Sequence, residues 1–178
     1  DNNKKMKLLT FNDLKFFQSD LLIENNFIHA FFTKSSNTNG PLELQKKLNL
    51  CSHTHHAKQI HSNKVIQVNT ISKLEPKTGD SLITKDQFQS LWIYTADCIP
   101  ILIADIKTRS IAACHSGLKG IKKQIISRTL KRLEGIGSKK SNLIIAIGPS
   151  IKGDKYQVEK KNVEDLIFKL TGKSILEK

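Results

Sequence analysis

Three side chains in the sequence have the chemistry to share a borderline-soft metal ion: His61, Cys98 and His115. A thiolate and two imidazoles suit zinc, and three protein ligands leave the fourth tetrahedral position open to water or substrate, as in catalytic zinc sites. Their separations, 98 − 61 = 37 and 115 − 98 = 17, fit no compact zinc-finger spacing. Only a fold that gathers distant segments could form such a site. Two other readings use the same residues. His61 could be a surface residue and His115 a histidine satisfied at a strand edge, or Cys98 could be a nucleophile with His115 as its base. His53, His55 and His56 fall in a polar connector and read as a surface cluster. Cys51 reads as a loop thiol and Cys114 as a small apolar strand residue.

The elements that would position these residues follow from hydrophobic periodicity. Leu14, Phe17, Leu21 and Leu22 suit a short helix, followed by a strand at 27–33. A polar loop at 35–40 precedes one or two helical turns at 41–48, and 51–56 takes no assignment. Strands are expected at 64–68 and, after the Thr78-Gly79-Asp80 turn, at 81–84. A strand at 91–95 is interrupted at 97–100 by a segment containing Pro100 and resumes at 101–104, which puts Cys98 at a strand end. The next strand, 110–115, ends on His115. Apolar positions 118, 121, 125, 126, 130 and 133 predict one amphipathic helix stopping at Gly135. An apolar strand at 142–147 and a terminal helix marked by Val163, Leu166, Ile167 and Leu170 complete the chain. The alternation predicts an α/β fold, a single-domain α/β/α sandwich around a mixed β-sheet spanning 1–178.

Composition agrees with one folded unit: 178 residues, 38% apolar and 25% charged. No apolar run approaches the roughly 20 residues of a membrane span, and the start resembles no signal peptide, so neither export nor membrane insertion is expected. An odd count of three cysteines without regular spacing points to a reducing cytoplasm. The net charge of +13 admits a polyanion partner, but only Arg109, Arg128 and Arg132 among 29 cations are arginine, the usual reader of phosphate and guanine. Bias towards AT-rich codons accounts for the lysines as well as nucleic-acid binding would, so no nucleic-acid partner is expected.

Five segments occur in an order that identifies a family. They are Gln59-Ile60-His61-Ser62, Thr78-Gly79-Asp80-Ser81-Leu82-Ile83-Thr84, Thr95-Ala96-Asp97-Cys98-Ile99-Pro100, Ala113-Cys114-His115-Ser116-Gly117-Leu118-Lys119-Gly120, and Ile147-Gly148-Pro149-Ser150-Ile151 with Tyr156-Gln157-Val158. From about His29 to Phe168 the chain resembles the laccase-domain proteins, also called the polyphenol oxidase or multicopper polyphenol oxidoreductase family, whose members are now regarded as purine nucleoside phosphorylases. The resemblance implies metal ligands at His61, Cys98 and His115 around zinc, with copper as the older label's metal. It also implies phosphorolysis of adenosine, inosine and methylthioadenosine, with some adenosine deamination. Phosphate would need an anion site, for which the Gly117–Gly120 turn with Lys119 is suited if it opens a helix, and Lys34 is a second cation. Each lysine is equally well read as a solvated surface charge. His29 matches a family position near the pocket and is read either as a substrate contact or as a buried structural imidazole.

The departures carry consequences too. Ser116, Leu118 and Lys119 stand where the family has Ala, Trp and Arg, which removes an aromatic and a planar cation beside the site. Between Leu50 and Gln59 the chain is shorter than the family, implying a missing lid, and the family's C-terminal tail has no counterpart. The alternative expectation is therefore a reduced, inactive member that serves as a basic polyanion-binding protein. The resemblance leaves the oligomeric state open.

Overall fold

The computed structural model describes residues 5–36, 40–50, 52–69 and 77–171. Strands β1 (Met6–Phe11) and β2 (Leu14–Ser19) lead into helix α1 (Asp20–Glu24), the two-residue strand β3 (Phe31–Phe32) and helix α2 (Pro41–Lys47). Strands β4 (His53–His56), β5 (Val65–Gln67), β6 (Ser81–Thr84) and β7 (Gln89–Trp92) follow. Then come β8 (Ile99–Asp105), β9 (Ile111–Ser116), α3 (Leu118–Lys122), α4 (Ile125–Gly135), β10 (Leu143–Ile147) and α5 (Lys160–Thr171). Among the described residues no helix is long and apolar enough to cross a membrane.

The fold is mixed α/β around a five-stranded mixed sheet, ordered β10-β8-β9-β6-β5, in which only the β5–β6 pair is parallel. Alternation along β8 and β9 sends Ile101, Ile103, Ala112 and Cys114 to one face, where Ile125 and Leu133 of α4 bury against them. The opposite face carries Ala104 and packs against Leu22 of α1 and Phe31. The second layer is thus shared between a short helix and a three-stranded sheet, β1-β2-β3, with β4 and β7 paired separately.

Several sequence expectations change here. The helix expected from Leu14 to Leu22 is strand β2 followed by α1. Leu14 and Phe16 are buried while Lys15 between them is exposed, so the period is two, and β1 and β3 flank the strand. The strand expected at 27–33 shrinks to β3. Pro100 does not interrupt β8. Its carbonyl faces the β10 side, accepting from Gly148 N–H at 2.9 Å, so its nitrogen faces the point where the β10 ladder has already ended at the Ile147–Ile101 pair. The single helix expected from 118 is broken at Gln124, which has a left-handed φ of 62°. Asn63 Nδ2 donates to the Lys123 carbonyl at the break. The second of the two helices stops at Gly135 as expected, and the chain turns away at Gly137, with φ of 109°, where the Gly137 and Ser138 N–H groups return to Glu134 and Leu133 carbonyls. The unassigned connector forms β4, and His55 is buried with Nε2 2.8 Å from Gln89 Oε1, so it is not a surface histidine. Cys51 lies outside the described residues.

One buried group stands out for what it lacks. Ser116 is 1% exposed, and its Oγ has no hydrogen-bond partner among the described residues. An orphaned buried hydroxyl costs about 1–3 kcal/mol of desolvation. Ser116→Ala is therefore expected to leave stability unchanged or raise it by up to about 1 kcal/mol, read as the urea midpoint at unchanged slope.

Candidate metal centre

Each of the five sequence segments contributes to one end of the central sheet. Asp97 and Cys98 lead into β8, His115 is the penultimate residue of β9, and Asp80 precedes β6. The Asp80 carboxylate, 0% exposed, organises the rest. It accepts the N–H groups of His61 at 2.9 Å and Ser62 at 2.7 Å, the Ser62 hydroxyl at 2.6 Å, and His115 Nδ1 at 2.9 Å. Burial pushes this carboxyl up, but the Ser62 and His115 hydrogen bonds and the Ser62 and Ile60 amides outweigh that and hold it below the usual carboxylate range. An ionised Asp80 makes His115 Nδ1 the donor and leaves Nε2 as a lone pair free to ligate, the usual way a carboxylate orients a metal-binding histidine.

The same carboxylate holds His61 in an unusual backbone conformation, with φ of 56°. A side chain other than glycine pays on the order of 1 kcal/mol there and stays only where its surroundings over-determine it. Two further contacts fix the surrounding loops. Gln59 clamps the Tyr94 backbone from both sides, Nε2 to the carbonyl at 2.8 Å and Oε1 from the N–H at 2.7 Å. Ile151 N–H donates to the Asp97 carbonyl at 3.1 Å, tying the loop after β10 to the residue before Cys98.

The outcome is that one ligand atom each from His61, Cys98 and His115 lies within 4.8 Å of the others. The two imidazole planes meet at 80° with centroids 4.8 Å apart. His61 is exposed, Cys98 half-buried and His115 buried, so the cluster opens to solvent on the His61 side. Nitrogen–sulfur–nitrogen donors at this separation fit zinc. The nucleophile reading of Cys98 fits less well. Burial and the nearby Asp97 and Asp80 charges push its thiol up, whereas a nucleophilic cysteine needs a depressed pKa.

The other expected site residues fall differently. Gly117 lies against the cluster: a Cβ there would come 2.7 Å from Cys98 Sγ and 3.1 Å from His61 Cδ2. Gly117→Ala is expected to displace the thiol and weaken zinc binding by roughly 10–100-fold, the loss typical when a ligand's support is disturbed. Competition with a chromophoric chelator measures it. Gly120 is buried, where a Cβ would press on the Ser62 carbonyl and Ile125 at 3.2 Å, so it serves packing. Helix α3 has only five residues, which leaves Lys119 as an exposed cation beside Gly117 instead of part of a long helix terminus. Lys34 is exposed in a 3-10 turn after β3. His29 has both ring nitrogens engaged within the protein: Ser19 N–H donates to Nε2 at 2.8 Å and Nδ1 lies 2.9 Å from the Phe27 carbonyl. Asp80 is the residue that side-chain chemistry alone did not single out. Its signal was its place after Gly79 and directly before an apolar strand.

A family model described as multi-copper polyphenol oxidoreductase laccase matches residues 38–174. A purine nucleoside phosphorylase of Synechocystis is 32% identical over 137 residues, covering 74% of this chain and 52% of that protein. One from Corynebacterium glutamicum is 32% identical over 64% of this chain and 47% of its own length. The chain spans about half the length of these curated relatives. Among solved structures, YlmD from Geobacillus stearothermophilus matches with a TM-score of 0.66 at 20% identity, over 75% of this chain and 53% of that one. The protein YfiH from Bacillus licheniformis matches with a TM-score of 0.67 at 19% identity, over 92% and 69%. These structures share the fold.

Proposed function

Because the chain belongs to the multi-copper polyphenol oxidoreductase laccase family, we propose that it is a purine nucleoside phosphorylase domain holding zinc between His61, Cys98 and His115. Its substrates on this reading are adenosine, inosine and methylthioadenosine with phosphate, and adenosine deamination is a side activity. The observation that carries the reading is the convergence of the three donor atoms within 4.8 Å, with His115 oriented by a buried carboxylate. Names of relatives point the same way: those matched are purine nucleoside phosphorylases.

In phosphorolysis a phosphate oxygen forms a bond to the anomeric carbon and the glycosidic C–N bond breaks. The purine leaves with the bonding pair and takes up a proton, giving free base and ribose 1-phosphate. A zinc ion, when bound, supplies Lewis-acid stabilisation of developing negative charge. The chain's own residues do the positioning. Asp80 keeps the proton on His115 Nδ1, Gly117 leaves room for the Cys98 sulfur, and the exposed edge of His61 admits substrate. Lys119 offers a cation for phosphate, as a point charge without the fork of arginine. The same donor set accepts copper, which makes copper the alternative metal. A reducing compartment such as the cytoplasm suits free Cys98 and Cys114.

The test is direct. The purified chain, loaded with one equivalent of zinc, is incubated with inosine and phosphate, and base and ribose 1-phosphate are quantified by chromatography. Equimolar release that stops on chelation is expected. No release from the loaded chain, or release indifferent to chelation, overturns the proposal. Salt-sensitive binding to RNA in an inactive chain would favour the polyanion-binding alternative instead.

A further inference from the structure

His115 stands opposite Pro100, and the next pair on the same sheet face, Ala113 and Leu102, lines a cavity of about 490 Å³ that continues past Ala104 and Ile111. The facing wall is aromatic. Phe32 and Trp92 stack with centroids 5.7 Å apart and planes 10° apart, and Phe16 tilts against Phe32, also at 5.7 Å. Among the described residues, the lining holds no lysine, arginine, aspartate or glutamate. Its one titratable group among the described residues, His29, has both ring nitrogens engaged, and burial lowers its pKa. The uncharged polar side chains Gln18, Asn26, Ser52, Gln89 and Ser90 also line the space.

We propose that this cavity binds an uncharged planar aromatic molecule, at a site separate from the metal ligands. Protein interiors are close-packed, and a cavity of this size lies in the range of small-molecule sites. Much smaller apolar cavities take up aromatic molecules from water. Flat walls favour a flat ring by offset stacking. A charged ligand would lose its hydration without gaining a counter-charge.

Trp92 is the only tryptophan in the chain, so its emission reports on this cavity alone. The probes are 4-nitrobenzamide and its anionic counterpart 4-nitrobenzoate, both contact quenchers of indole. Saturable quenching by the amide is expected, with the benzoate at least about tenfold weaker despite the chain's net charge of +13. Equal or tighter binding of the benzoate, or quenching that never saturates, overturns the proposal. Ala104→Leu fills the floor and is expected to abolish the saturable phase with far-UV dichroism unchanged. If that variant fails to fold, Ala104→Val is expected to weaken the amide several-fold, and wild-type affinity in either folded variant sinks the idea. Chelation of metal and Cys98→Ser should leave quenching intact, so failure of the phosphorylase reading and failure of this one are told apart.

Discussion

Replacing Cys98 by serine is expected to strip stoichiometric zinc from the chain and, with it, purine release. Of the three donors it is the only sulfur, and a thiolate brings charge as well as softness to the site, whereas a serine hydroxyl brings neither near neutral pH. In the metal-free protein, burial and the Asp97 and Asp80 charges push the Cys98 thiol up, so proton release must accompany metal binding. The loss should exceed the roughly 10–100-fold seen when only a supporting residue is removed. Cys114 supplies the control. It is 0% exposed on the other face of β9, and burial pushes its thiol up to about 11, so it stays protonated in the core. Cys114→Ala should retain one equivalent of metal by elemental analysis while Cys98→Ser retains none. Equal metal content in the two variants would remove Cys98 from the site.

What the sequence made legible was set by how local the determining physics is. The strands at 65–67, 81–84, 111–116 and 143–147 are short apolar runs bounded by turn residues, and the structure has them. The candidate ligands Cys98 and His115 at strand ends were visible for the same reason. Residues 14–22 were not legible, because Leu14, Phe16, Phe17, Leu21 and Leu22 satisfy both a helical and an alternating pattern. Pairing with β1 and β3 decided between them. Strand β4 was hidden further, since a polar His-Thr-His-His segment becomes a strand only through parallel pairing with β7, 36 residues away in the register His53 to Gln89. The break at Gln124 carries neither glycine nor proline, so nothing in the local sequence announces it. The Gly117–Gly120 turn reads from sequence as an anion site through its backbone N–H groups and Lys119, whereas its close packing is not legible there: a Cβ at Gly117 would meet the Cys98 sulfur, and one at Gly120 the Ser62 carbonyl and the Ile125 side chain.

Asp80→Asn is expected to damage both halves of this arrangement at once. The carboxylate is a pure acceptor for five donors: the amides of Ile60, His61 and Ser62, the Ser62 hydroxyl and His115 Nδ1. An asparagine amide turns one of the two oxygens into a donor, so at least one buried N–H loses its acceptor, at about 1–3 kcal/mol. The His61 backbone is then no longer held at its positive φ, and His115 is free to place its proton on Nε2, where the lone pair is needed. A roughly 10–100-fold fall in zinc affinity follows from the second effect alone. The pH dependence fixes the sign independently. Because Asp80 is held below its ordinary value of 3.8 in the folded chain, it contributes stability above that pH, and the contribution is lost as pH falls through the lower folded value. The wild type should therefore lose stability on the acid side of about pH 4 by a step that Asp80→Asn lacks, while the variant is the less stable of the two near neutrality. Urea unfolding of the metal-free proteins across that range, paired with zinc competition at neutral pH, measures both. Parallel acid limbs together with unchanged zinc affinity would show that the carboxylate holds neither the loop nor the imidazole.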